Sequence, residues 1–160
     1  MNTQSALETL LQDENGCAMV PLATGSFVVP AELANLDKVM DPIHEELESR
    51  GCPFSALCQL DIAIEELFVN ICNYAYVDQD GPGPCWVDYA FAAPPNTMVV
   101  QLKDQGIPFD PLLRKDPTRP SSIQETKIGG LGIFMTKKSV DDIVYQHGDS
   151  FNIIAFKKCW

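Results

Sequence analysis

Apolar residues recur along the chain at two spacings, and the change from one to the other divides it into helices and strands. Between Ala31 and Ser49, Leu33, Leu36, Val39, Met40, Ile43 and Leu47 fall three or four residues apart, the spacing of a helix with one buried face, and Gly51 is placed to stop it. From Pro53 to Asn73 the pattern is stronger, with Leu57, Leu60, Ile64, Leu67 and Ile71 stacked along one side. Ser26–Pro30, Trp86–Ala92 and Met98–Lys103 are β-branched and aromatic runs that read as strands, the last two joined through Pro94-Pro95-Asn96. Leu131–Val140 reads as a helix opening at Gly129-Gly130. Asp142–Gln146 and Asn152–Lys157 close the chain as a hairpin turning at His147-Gly148-Asp149-Ser150. Trp86, Tyr89 and Phe91 are expected in the core, and Phe134 and Met135 in helix packing.

Two stretches break the pattern. Asp78–Pro84 is a turn-rich interruption, and residues 111–128 are polar, hold Pro111, Pro117 and Pro120, and show little periodicity. A long loop inside a compact domain is the usual form of a functional lid. Met1–Thr24 carries weak signals, with one short helix around Ser5–Leu11, and is set apart as an N-terminal extension to a domain over 25–160. The expected fold is an α/β (α+β) two-layer sandwich, a mixed, mainly antiparallel sheet covered on one face by helices. The lack of repeated βαβ units argues against a doubly wound sheet.

Charge narrows what such a domain can bind. The 160 residues carry a net charge of −11, with 46% hydrophobic and 21% charged positions. That balance disfavours nucleic acid and anionic membrane surfaces as partners. An acidic protein that binds a polyanion needs a local device: backbone N–H groups, a helix N-terminus or a metal ion. The six cysteines form no C-x-x-C pair and no zinc spacing with His44 or His147, and read as reduced thiols. Residues 1–15 lack the basic and apolar regions of a signal peptide, and Cys17–Ala23 is too short to span a bilayer, so a cytoplasmic protein is expected.

On the helix from Pro53 to Asn73, Gln59, Glu66, Asn70 and Asn73 fall within roughly 40° of Glu66 at 100° per residue, beside the apolar arc rather than opposite it. One face therefore offers a carboxylate and amides to a single small ligand, or else simply to solvent. An Asn carbonyl oxygen suits Mg²⁺, which keeps several waters and shares phosphate oxygens. A carboxylate one turn away can orient or deprotonate a hydroxyl. Asp104-Gln105-Gly106 follows a strand, so a carboxylate stands at the strand end and Gly106 permits close backbone approach. That Asp is either an ordinary turn residue or an acceptor for an exocyclic amine such as adenine N6. Gly129-Gly130-Leu131-Gly132 then opens a helix, where free N–H groups and the helix dipole favour an anion.

Taken in order, these pieces resemble the N-box, G1-box and G2-box of the ATPase superfamily of gyrase, Hsp90, histidine kinases and MutL. Ile64–Tyr76, Asp104–Pro111, Gly129–Tyr145 and Asn152–Lys158 resemble, within it, the anti-sigma-factor serine/threonine kinases of bacterial partner-switching systems; so does Val28–Val39. The resemblance runs from about Phe27 to Lys158 and implies a Bergerat-type ATP-binding fold with residues 111–128 as its lid. It implies that Glu66 is the catalytic base and Asn70 a Mg²⁺ ligand. Asn70, Asn73, Asp104, Gly106, Ile107, Phe109, Lys127, Gly129, Gly130, Leu131 and Gly132 are its nucleotide-binding residues, and Asp104 reads adenine. Arg114, Lys115, Arg119 and Lys127 are candidate closers over the phosphates. Asn73 and Tyr74 depart from the family, standing where relatives often have a charged residue and a His.

The function so implied is transfer of a phosphoryl group from Mg-ATP to a Ser or Thr of a STAS-type anti-sigma antagonist, by a homodimer that also meets a sigma factor. Two other readings use the same boxes. One is a non-catalytic module whose bound ATP governs sequestration of a regulator. The other is a histidine-kinase catalytic domain, for which His44-Glu45-Glu46-Leu47 would be the phosphoacceptor box, too close to Asn70 to leave room for a dimerisation hairpin.

Overall fold

Side chains alternate across each strand, so every strand offers two surfaces. The computed structural model, which describes residues 5–113, 115 and 130–160, joins five strands into one sheet. They are β1 (Ala23–Pro30), β2 (Pro84–Ala92), β3 (Thr97–Asp104), β4 (Asp142–Gly148) and β5 (Phe151–Cys159). Their order is β1-β2-β3-β5-β4, with every neighbouring pair antiparallel. The expected two-layer sandwich is present, and among the described residues its sheet is antiparallel throughout rather than mixed. Topology explains this. The chain leaving β3 returns at the edge as β4, and the β4–β5 hairpin then inserts β5 between them, so the two like-directed strands never touch.

One face of the sheet is covered by α2 (Leu36–Ser49), α3 (Phe54–Asn70) and α4 (Gly130–Ser139). Val39, Ile43 and Leu47 of α2, Leu60, Ile64, Leu67 and Phe68 of α3, and Ile133 of α4 pack on Val87, Val100, Leu102 and Phe156. The helical spacing thus marked the buried stripe correctly, with instructive exceptions. Leu33 falls in a 3₁₀ turn, Leu33–Asn35, ahead of α2 and is exposed, because the tighter turn rotates it off the stripe. Met135 is exposed, and α4 turns Ile133 and Thr136 inward instead. Trp86 has the opposite parity to Tyr89 and Phe91, so it lies on the other face, edge-on to Phe151 at 5.2 Å.

That second face is not bare. The chain's first helix, α1 (Ala6–Leu10), opens with a capping box between Ser5 and Glu8 and lies against it. Ala6 and Leu10 are buried among Ala90, Ala92, Val99 and Ala155, whose small side chains leave a trough for the helix. The Leu7 N–H donates to Gln101 Oε1 at 3.2 Å, and Lys157 Nζ donates to the Gln12 carbonyl at 3.4 Å. Within the described residues, α1 and Leu11 are therefore packed on the sheet.

Candidate functional site

The site begins where α3 stops being regular. After Asn70 the helix widens into one π-helical turn, Ile71–Ala75, a rare form found chiefly at functional positions. Each π-helical turn holds about one residue more than an α-helical turn. Within this turn Asn73 is exposed, and Tyr74 shares the lining of one cleft with Asn70. The turn is anchored by Tyr76, whose hydroxyl donates to the Pro84 carbonyl at 2.5 Å and accepts from the Gln105 N–H at 2.8 Å. One phenol therefore ties the end of α3 to the start of β2 and to the turn after β3. That turn presses close. The Ile107 N–H donates to the Ala75 carbonyl at 2.9 Å, and a Cβ added at Gly106 would overlap the Ala75 backbone, so no other residue fits there.

Between these walls lies an open cleft lined by Leu67, Ile71, Ile107, Phe109, Pro111 and Ile154 with Asn70, Tyr74, Ala75, Asp104, Tyr145 and Asn152. It is an apolar slot with a few polar groups, a usual form for small-ligand sites. Asp104 is buried at its floor. Asp104 Oδ1 accepts from the Gly106 N–H at 2.8 Å and from Asn152 Nδ2 at 2.9 Å. Oδ2 takes no hydrogen bond from the described residues, and Asp104 is one of the residues that line the cleft. Burial pushes the Asp104 carboxyl above the usual carboxylate range, although the Asn152 and Gly106 bonds and nearby His147 favour its charged form. Burial likewise pushes the neighbouring Cys85 thiol up, so it stays protonated beside Asp104.

Glu66 sits one turn before Asn70 and outside the described lining of this cleft. It meets α4 instead: a Cβ on Gly132 would overlap the Glu66 carboxylate, and Oε1 would stand 3.0 Å from it. Glycine at 132 is thus what lets the helix start approach the carboxylate. Of the site residues expected from sequence, Asn70, Asp104, Ile107 and Phe109 line the cleft and Gly106 backs it. Glu66 and Gly132 meet at its side, Leu131 is exposed on α4, and Asn73 faces away. Gly130 is the first residue of α4. Lys127 and Gly129 lie outside the described residues, as does most of the stretch 111–128; its start, Pro111–Leu113, is one 3₁₀ turn. His44 Nε2 stands 2.6 Å from Asp61 and ties α2 to α3.

Sequence reasoning missed Asn152, Tyr145 and Tyr74. The signal for Asn152 was there: within β5 it shares the parity of Ile154 and Phe156, so strand alternation puts an amide on the buried face, where it must find partners. Tyr74 was hidden by the π-helical turn, which no periodicity announced.

An antiparallel sheet under three helices, with a carboxylate and an amide lining one slot at the end of the middle helix, defines a two-layer α/β domain. The chain belongs to the histidine kinase-like ATPase domain family, whose model matches residues 29–158. Serine-protein kinase RsbW of Listeria monocytogenes is 27% identical over 111 residues, spanning 67% of this chain and 69% of that protein. RsbW of Listeria innocua is 26% identical over the same length. A crystal structure of RsbU and RsbW domains from Mycobacterium tuberculosis superposes with a TM-score of 0.60 at 17% identity, covering 86% of this chain. This chain spans about a third of that one, 32%, and the likeness is one of fold. Among the described residues, no helix is long and apolar enough to cross a membrane.

Proposed function

We propose that the cleft binds ATP with Mg²⁺ and that the domain transfers its γ-phosphoryl group to a Ser or Thr of a STAS-type antagonist protein. The observation that carries this reading is the Asp104 carboxylate, held by Oδ1 and open at Oδ2 on the floor of an apolar slot. Oδ2 is an acceptor for an exocyclic amine, and Ile107, Phe109 and Ile154 are walls for the ring that carries it. Asn70 stands at the same slot with a neutral oxygen suited to Mg²⁺. A Mg²⁺ ion here would rest on Asn70, phosphate oxygens and water. When bound, the ion neutralises charge on the phosphates.

Glu66 is the base in this reading. It lies one helical turn from Asn70, and its carboxylate rests against Gly132 with no hydrogen bond to another described side chain. A base so placed accepts the hydroxyl proton of the incoming Ser or Thr, and general base catalysis contributes about 10² to 10⁴ in rate. The α4 N-terminus at Gly130 would meet the phosphates with its free N–H groups, the local device an acidic chain requires. Residues 111–128 would close as the lid, and the homodimer and sigma-factor contact belong to the same reading.

The experiment is phosphoryl transfer from labelled ATP to a purified STAS-type partner, with Glu66→Gln beside the wild type. Transfer should fall at least about 100-fold in the variant while ATP affinity holds. Tight ATP binding without transfer to any partner by the wild type would sink the kinase reading and leave an ATP-dependent binding module.

A further inference from the structure

Asn152 uses its whole hydrogen-bonding capacity inside the protein. An amide has two N–H donors and a carbonyl oxygen with two lone pairs. Nδ2 donates to Asp104 Oδ1 at 2.9 Å, and its other hydrogen lies between the carbonyls of Ile107 at 3.1 Å and Gly106 at 3.3 Å. Oδ1 accepts from the Tyr145 hydroxyl at 2.6 Å and from the Phe109 N–H at 3.3 Å. These partners also fix which way the amide points, since flipping it would set its oxygen against Asp104 and two carbonyls.

Two consequences follow for a ligand. Neither Asn152 nor Tyr145 has a hydrogen left to give, so this corner of the cleft offers acceptors only. The carboxylate beside them is also reduced to one usable oxygen, because Oδ1 already takes both Gly106 and Asn152. We propose that Asn152 is a specificity-determining residue: by filling Asp104 Oδ1 it leaves a single acceptor, which suits the exocyclic amine of a 6-aminopurine and refuses a 6-oxo-2-aminopurine. The latter presents two parallel donors, N1–H and the 2-amino group, which ask for both oxygens of a carboxylate, as a guanidinium does. Its 6-oxo group would in addition find no donor. This inference rests on the nucleotide reading of the cleft.

The test is calorimetric titration of the full chain with the magnesium salts of ATP, GTP and inosine triphosphate, the last having N1–H and a 6-oxo group but no 2-amine. Wild type should favour ATP over both others by at least about 100-fold. In Asn152→Ala, Oδ1 keeps only the Gly106 bond, and the preference for ATP over GTP should shrink about 10-fold or more, with inosine triphosphate gaining less. A residue that merely held the fold would weaken all three nucleotides together and leave their ratios unchanged, and that result would overturn the proposal. So would a wild type that binds GTP within about threefold of ATP, which decides the matter even where the variant does not fold. A wild type that binds none of the three removes the nucleotide reading itself, an outcome distinct from indifference to the base.

Discussion

Replacing Asp104 by Asn alters one atom at the floor of the cleft, and the surrounding hydrogen bonds dictate which one. The Gly106 N–H and Asn152 Nδ2 both point at Oδ1, so the new amide must keep its carbonyl there and turn its NH₂ to the position Oδ2 held. An acceptor facing the ligand becomes a donor. A hydrogen bond to a charged group contributes about 1.5–3 kcal/mol, and an amine meeting an NH₂ loses at least that, so ATP affinity should fall about 10- to 100-fold. Stability should move the other way. Burial raises the Asp104 carboxyl above its unfolded value, so it favours folding only while protonated: the contribution is full below the unfolded value and is lost as pH rises through the folded one. At neutral pH the charged group works against the fold, and a neutral amide that keeps both Oδ1 bonds removes that cost. Asp104→Asn should therefore melt no lower than wild type at pH 7, and its advantage should vanish on acidification through the raised value. Calorimetric titration with Mg-ATP and thermal melts from pH 4 to 8 measure both effects. Unchanged ATP affinity would refute the role assigned to Oδ2, and a variant that melts lower at pH 7 would refute the account of its burial.

Gly132→Ala should separate folding from chemistry. The added methyl meets the far end of the Glu66 side chain, which can swing away, and Ala is a better helix former than Gly by about 1 kcal/mol. The melting temperature should hold or rise while phosphoryl transfer falls; transfer at the wild-type rate would show that the position of Glu66 against α4 does not matter. Leu10→Ala should do the reverse, since Leu10 is 1% exposed between α1 and the second sheet face. Denaturant unfolding should show a loss of about 2–4 kcal/mol with ATP affinity unchanged, and a loss below about 0.5 kcal/mol would mean that α1 does not belong to the folded unit.

The sequence by itself determined the buried stripes of α2 and α3, the β2–β3 connection and the β4–β5 hairpin, and Asn70 and Asp104 among the residues that line the cleft. These rest on local periodicity and on short motifs: the Asp104-x-Gly106 turn and the Glu66 and Asn70 pair carry their meaning within a few residues. Three things were decided only by the tertiary structure. The end of α3 is a π-helical turn where the chain after β3 meets Ala75, and Tyr74 rather than Asn73 lines the cleft. Met1–Thr24 reads as an extension because the one short helix within it carries almost no periodic signal. It took the trough of Ala90, Ala92 and Ala155, on strands far along the chain, to show what α1 packs against. Asn152 gained its place only because β5 pairs with β3, inside the edge strand β4, which sets it opposite Asp104. Periodicity reports which side of an element is buried. Which partner waits there depends on long-range pairing, and the detail of the cleft was written at that level.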